Sequence, residues 1–165
     1  MKRVVIVRHA KAVPFGYHDD FHRDLQDRGK NDAKLIGKKL QKKGIKADAM
    51  ISSPAKRALK TARFFAKKLG FNKNDIKQMN EIYEGLNTYE FLDIIRKLPD
   101  HWDTVFFFGH NPGFQLFAKY LLNSFEGDMP TCTTIGIDFD VANWKEVDAY
   151  SGNPGFRITP KMFKE

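Results

Sequence analysis

The sequence predicts an α/β fold: a three-layer sandwich in which a mostly parallel central sheet carries helices on both faces. Three observations lead there. The runs VVIVR, ADAMISS and TVFFFG are short, apolar and rich in β-branched or aromatic residues, as buried strands are. Stretches with apolar residues at helical spacing stand between them. Strands alternating with helices imply a parallel sheet covered on both faces.

Residues 3 to 8 form the first buried strand. Residues 13 to 25 carry Pro, Gly, His and Asp and read as a loop. Residues 27 to 43 place Ala33, Ile36, Gly37 and Leu40 at helical spacing, and Gly44 stops the helix. A short strand follows over residues 47 to 53, and Pro54 suits the first turn of the next helix. That helix runs to about Leu69, with Ala58, Leu59, Ala62, Phe65, Ala66 and Leu69 along one stripe and Gly70 at its end. The segment IKQMNEIYEG fits neither period. Residues 88 to 97 are helical, ending before Pro99, and TVFFFG is the next buried strand, with Phe106 to Phe108 in the core. Asn111-Pro112-Gly113 turns the chain into a helix over residues 114 to 122. TTIGIDFDV puts Ile135, Ile137, Phe139 and Val141 on one face, as a strand near a sheet edge does, and WKEVDAY could pair with it as a hairpin.

Length and composition bound the function. A chain of 165 residues fits one domain, residues 1–165, and buries roughly 70% of its unfolded surface without staples. Cys132 is the single cysteine, which excludes an internal disulfide and a cysteine-based metal site. The apolar run in MKRVVIV is too short for a signal peptide, and no stretch approaches the ~20 apolar residues of a membrane span. A cytoplasmic, monomeric protein with no membrane association is the expectation. The net charge of +8 invites nucleic-acid binding, but the lysines of KLIGKKLQKKGIK and KRALKTARFFAKK fall on the wet faces of two helices. No nucleic-acid partner is expected. The excess charge still suits acidic or phosphorylated partners.

In a parallel sheet, ligands bind beyond the carboxyl ends of the strands. That rule puts Arg8-His9, Ser52-Ser53 and Gly109-His110 on one rim. Two histidines with Arg8 and Arg57 make a site rich in donors and poor in carboxylate. Guanidinium forks bind phosphate bidentately, and the helix after Ser53-Pro54 points backbone N–H groups at an anion. The expected ligand is a phosphoryl group or another oxyanion. A histidine among fixed positive charges stays neutral, and neutral imidazole is a competent nucleophile for phosphorus. His9 would then carry a covalent phosphoryl group, with Arg8, Arg57 and His110 stabilising its oxygens. No P-loop, paired Asp cluster or His-Cys set points to a metal, and no cofactor is expected.

VRHAKA, SSPAKRALKTA and FFFGHNPGF, in this order and spacing, resemble the histidine phosphatase superfamily, which has the phosphoglycerate-mutase-like fold. The three motifs run from about residue 3 to 114. DFHRDLQDRGKNDA resembles the Arg-Pro-Leu-Thr…Gly segment, and MPTCTTIGIDFD the last core segment, of the small SixA-like phosphohistidine phosphatases. The chain is more similar to these than to the mutases. The resemblance implies that His9 is the phosphorylated nucleophile and Arg8 and Arg57 the phosphate arginines. It makes His110 the second histidine, binding phosphate and donating in the transition state, and sets Arg23 beside the pocket. Ser53 and Asn111 join the expected phosphate-binding set. The departures are Ala10 for the usual Gly, Lys11 for an acidic residue, and Asp24 and Gln26 for the Pro and Thr of the Arg-Pro-Leu-Thr motif.

Superfamily members that cleave esters use a Glu in a segment like NE…G, which offers Glu81 as general acid and Glu84 as second choice. An alkoxide needs that proton. An imidazole, whose conjugate acid has a pKa of about 6.5, leaves without a strong acid. The chain between Glu84 and Thr104 reads as one helix, with no inserted cap, so the pocket should admit a folded domain. Phe15, Tyr17, His18 and Phe21 follow the nucleophile and either contact a partner or pack their own loop. His22 and His101 are expected at the surface. The leading expectation is a metal-independent phosphatase removing phosphate from phosphohistidine in a protein, such as a histidine phosphotransfer domain. The alternatives are a phosphatase of a small phosphoester or nucleotide, and a non-catalytic phosphoprotein-binding module.

Overall fold

The computed structural model describes residues 1–14, 16, 19–125 and 127–164. Six strands, β1 (Lys2–Arg8), β2 (Ala49–Ser52), β3 (Lys77–Gln78), β4 (Thr104–Gly109), β5 (Thr134–Phe139) and β6 (Asn153–Ile158), form one sheet in the order β3-β2-β4-β1-β5-β6. The pairings β3–β2, β2–β4 and β4–β1 are parallel, while β5 runs antiparallel to both β1 and β6. The sheet is mostly parallel, as expected, with an antiparallel flank.

The central strands are apolar on both sides because both sides are covered. Side chains alternate across a strand. Val4 and Ile6 therefore enter one core with Phe107, while Val5 and Val7 enter the other with Phe106 and Phe108. Helices α1 (Asp27–Lys42) and α2 (Lys56–Leu69) close the second core with Ala33, Ile36, Leu40, Ala62 and Phe65. The short α3 (Asn80–Glu84), with α4 (Thr88–Arg96) and α5 (Gly113–Leu121), closes the first; there Phe91 stacks on Phe117 at 4.2 Å. Asn87 and Glu90 form a capping box that fixes the start of α4. Among the described residues, no helix is long and apolar enough to cross a membrane.

Two expectations are corrected. Pro54 lies ahead of the helix, not in its first turn: α2 begins at Lys56, with Ala55 still extended. The Ser53 hydroxyl accepts the Ala55 N–H at 3.1 Å and holds the chain in a turn for one residue more. WKEVDAY does not pair with β5. Trp144–Glu146 is a 3-10 turn that buries Trp144, whose ring N–H donates to the Trp102 carbonyl at 2.8 Å. The partner of β5 is β6, whose NPGFRI sequence reads poorly as a strand; its proline is tolerated because β6 is a sheet edge. The undecided IKQMNEIYEG becomes β3 followed by α3.

The start of α1 presses on the loop after β1. The Gln26 N–H donates to the Lys11 carbonyl at 2.9 Å, and a Cβ on Gly29 would collide with that same backbone oxygen. Gly29→Ala should therefore cost about 2 kcal/mol, read as a lower urea midpoint at unchanged slope. An unaltered midpoint would show that this loop moves freely against α1.

Candidate active site

Register builds the site. In the β2-β4-β1 part of the sheet, Arg8 stands opposite Gly109 and Ser52 opposite Phe108. The next residue of each strand comes level with its neighbour: His9 N–H donates to the Gly109 carbonyl at 3.0 Å, and Ser53 N–H to Phe108 at 3.0 Å. Neighbouring strands lie about 4.8 Å apart, and the His9 and His110 rings sit at 5.3 Å. The chain leaves β1 toward β2 and leaves β4 toward β5, on opposite sides of this pair. The crevice is thus a topological switch point.

His9 is buried, and its Nδ1 lies 2.8 Å from the Ala10 carbonyl oxygen. A carbonyl only accepts, so Nδ1 carries the hydrogen and Nε2 keeps the lone pair. Burial disfavours the imidazolium; the Ala10 bond works the other way; the charges of His110, Arg57 and Arg8 then add to burial, and the pKa falls to about 3. The loop that carries His9 is tied on two sides. Ala10 N–H donates to Thr61 Oγ1 at 3.0 Å, and that hydroxyl donates to the Arg57 carbonyl at 2.7 Å, coupling the loop to the turn that carries Arg57. From behind, Cys132 N–H reaches the Arg8 and His9 carbonyls at 3.1 and 3.0 Å. Cys132 takes a left-handed conformation at φ 62°, whereas Ala10 does not, so the backbone at Ala10 accommodates a Cβ.

The cations surround this imidazole. Arg57 projects from the first turn of α2 and is 6% exposed. Arg8 donates from Nη1 to the Met129 carbonyl at 2.9 Å, and burial lowers its pKa. His110 Nε2 lies 2.8 Å from Ser53 Oγ. Burial and then the Arg57 charge lower the His110 pKa, Asp20 opposes, and the result is about 4. Ser53 Oγ accepts from Ala55 and can still donate to His110 Nε2 or accept from it, so this contact orients the ring without selecting its tautomer. Arg8 Nε, Arg57 Nε and His110 Nδ1 are all buried with no hydrogen-bond partner in the protein. A buried polar atom without a partner costs about 1–3 kcal/mol, and guanidinium N–H groups are suited to an oxyanion.

The remaining expected residues take varied places. Ser53 orients His110. Asn111 spends its amide N–H groups on the Met129 carbonyl at 3.0 Å and on Gln115 at 3.4 Å, which steadies the segment that Arg8 also holds. Arg23 donates to the Val13 carbonyl and twice to Asp20. Glu81 and Glu84 are exposed on α3, and no hydrogen bond or ion pair joins either to His9, Arg8, Arg57 or His110. Phe15, Tyr17 and His18 lie outside the described residues, while Phe21 packs edge-on against Tyr83 at 5.2 Å. His22 and His101 are exposed.

Two residues were not anticipated. Asp20, in the 3-10 turn Asp20–His22, bonds Arg57, Arg23 and the Tyr83 hydroxyl. Tyr83, on α3, also meets the His110 ring edge-on at 5.8 Å. Nothing in the spacing marked a carboxylate in so cationic a site. Tyr83 fell in the stretch that fitted neither period.

A cavity of about 180 Å³ opens beside His110, lined by Ile82, Tyr83, Leu86, Pro112 and Phe114. A larger one, about 620 Å³, lies among Arg28, Arg157, Lys161 and Lys164, and none of the catalytic candidates lines it. Among the described residues, no group of three His, Cys, Asp or Glu side chains could hold a metal ion.

The family model for the histidine phosphatase superfamily, branch 1, matches residues 4–115, which contain all three strand tips. The chain belongs to the histidine phosphatase superfamily. Among curated relatives, the mitochondrial serine/threonine-protein phosphatase Pgam5 of Drosophila mojavensis is 34% identical over 84 residues, 51% of this chain and 29% of that protein. The chain thus spans under a third of the length of that relative. Two solved structures share the whole fold of this superfamily member. A protein described as phosphohistidine phosphatase SixA, from Agrobacterium tumefaciens, superposes with a TM-score of 0.80 at 22% identity, over 96% of this chain and 98% of that one. The protein histidine phosphatase SixA complexed with tungstate gives 0.79 at 16% identity, over 98% and 99%.

The depressed histidine pKa values carry a stability signature. Both imidazoles are neutral in the folded chain well below the unfolded value of about 6.5. As pH falls below that value, the unfolded chain binds protons that the native chain refuses, so stability falls toward about 4 for His110 and about 3 for His9. Between pH 7 and 5 each histidine should cost roughly 2 kcal/mol of unfolding free energy. His110→Gln should lose correspondingly less over that interval in urea titrations. An equal loss in both proteins would mean that His110 is readily protonated in the native state.

Proposed function

We propose that the chain is a metal-independent phosphatase that works through a phosphohistidine on His9 and removes phosphate from phosphohistidine in a protein. The observation that carries this reading is a buried neutral imidazole whose Nδ1 is held by the Ala10 carbonyl, leaving Nε2 free, beside the His110 ring and within the field of Arg57 and Arg8. His9 Nε2 attacks phosphorus and the bond to the leaving group breaks. Arg8, Arg57 and His110 hold the phosphoryl oxygens as charge redistributes. Water then attacks the phosphoenzyme, releasing phosphate and restoring His9.

The leaving group follows from the acids at hand. Asp20 is the carboxyl that touches the site among the described residues, and it is ionised. Burial pushes its pKa up, but hydrogen bonds from Tyr83, Arg23 and Arg57, with the Arg57 charge, outweigh this and leave it at about 2. It has no proton to give at neutral pH. A phosphohistidine whose second ring nitrogen carries a proton does not need one: it expels neutral imidazole, whose conjugate acid has a pKa of about 6.5. The chain between α3 and β4 forms a single helix, Thr88–Arg96, and this supports a mouth open to a folded domain. The SixA proteins of the same fold and the Pgam5 relatives are named for protein substrates, which supports the same class. A small phosphoester is the second reading, favoured by the apolar cavity beside His110.

The test is phosphate release, with EDTA present, from a histidine-phosphorylated phosphotransfer protein, a serine-phosphorylated protein and a panel of small esters. The phosphohistidine protein should be turned over fastest, and His9→Ala should lose about a thousandfold or more. Glu81→Gln should leave that turnover within about twofold, because no strong acid is required. Turnover of one ester with the phosphohistidine protein untouched would move the function to small molecules, and an about hundredfold loss in Glu81→Gln would then make Glu81 the acid. Undiminished release by His9→Ala would overturn the mechanism.

A further inference from the structure

Asp20 uses both terminal nitrogens of the arginine expected to hold phosphate. Arg57 Nη1 donates to the Asp20 carbonyl at 2.6 Å, and Nη2 to its Oδ2 at 3.0 Å. A phosphoryl group approaching that guanidinium meets a competitor already in place. The two partners differ in freedom: the Arg57 side chain is 6% exposed, and that of Asp20 is 34% exposed. The arginine is the more fixed of the two, with Nη1 held by the Asp20 main-chain carbonyl, and the carboxylate is the partner with room to shift away from Nη2.

A retreat is prepared for it. Oδ1 accepts from Arg23 Nε and Nη2 at 3.1 and 2.9 Å, and Oδ2 accepts from the Tyr83 hydroxyl at 2.9 Å. With Arg57 released, each oxygen still has a donor. The turn beneath it is independently held, since the Asp19 carboxylate caps the His22 N–H at 3.1 Å. A pocket of Arg8, Arg57 and Arg23 with no anion of its own would leave a guanidinium buried and unpaired between turnovers. It would also grip inorganic phosphate, and slow product release limits turnover in many enzymes.

We propose that Asp20 is an internal anion of the phosphate site: its carboxylate occupies Arg57 in the empty pocket, yields the guanidinium to an incoming phosphoryl group, and reclaims it as inorganic phosphate departs. Asp20 is thus a positioning residue acting through Arg57, and it sets how tightly the site holds oxyanions. The inference rests on the phosphatase reading for the identity of the ligand, but its test needs no turnover.

The experiment is calorimetric titration of tungstate and of orthophosphate into wild type, Asp20→Asn and Asp24→Asn. Asp20→Asn keeps the shape and removes the charge, and should bind both oxyanions about tenfold tighter. Asp24 pairs with Lys56 and Lys60, not with Arg57. Asp24→Asn makes the same change in net charge and should shift affinity by no more than about twofold. A merely structural role for Asp20 would weaken binding when removed, and equal or weaker binding in Asp20→Asn would overturn the proposal. Equal tightening in both variants would overturn it too, by reducing it to bulk charge. In the wild type, the carbon-13 resonance of the Asp20 carboxyl should move on saturation with tungstate, and a resonance that stays put contradicts the exchange. Tenfold tightening in a protein that hydrolyses none of the phosphorylated compounds would keep this inference while ending the phosphatase reading.

Discussion

The parallel pairing of β2, β4 and β1 aligns three carboxyl ends through two backbone hydrogen bonds, from His9 to Gly109 and from Ser53 to Phe108. Everything at the rim depends on that alignment. A one-residue slip of β1 would turn every side chain to the opposite face, exchanging Val4 and Ile6 for Val5 and Val7 and carrying His9 away from His110. Apolar residues on both faces of β1 and β4 make that slip costly. The packing that stabilises the fold therefore also fixes the distance between the two imidazoles.

Burial then sets the chemistry. Placing His9 under the loop keeps its imidazole neutral, and the surrounding cations act in the same direction. The Ala10 carbonyl selects the tautomer that leaves Nε2 free. These effects favour a nucleophile over an acid, and the carboxylate within reach is held ionised by its donors. On the proposed reading, such a site would handle a phosphoryl group whose leaving group departs unaided more readily than one needing a proton. The pairing of Asp20 with Arg57 follows from the same electrostatics, since a buried guanidinium without an anion is costly.

Much of this was legible in the amino-acid order. The apolar runs of β1 and β4, and the helical stripe of α2 ending at Gly70, identify their elements through period and punctuation alone. Their tips carry Arg8-His9 and Gly109-His110, so the heart of the site could be placed from the rule for parallel sheets. β6 was not legible, because Asn153-Pro154-Gly155 has low strand propensity and is a strand only through pairing with β5. Trp144 was mistaken for strand because its burial depends on the distant Trp102 carbonyl and on Asp100. Asp20 and Tyr83 were invisible for a similar reason. A loop carboxylate and a tyrosine on a five-residue helix acquire meaning only when the fold brings both to Arg57 and His110.

The central claim is that native His9 is neutral, with its proton on Nδ1 and its lone pair on Nε2. Two-bond proton–nitrogen correlation spectra of the uniformly nitrogen-15-labelled chain, assigned with His9→Gln and recorded from pH 7 down to 5, test it directly. The account predicts that His9 shows the Nδ1–H neutral pattern throughout, with no titration over that range, while exposed His22 and His101 are recorded beside it as internal references. An imidazolium pattern at pH 6, or a neutral ring carrying its proton on Nε2, would contradict it.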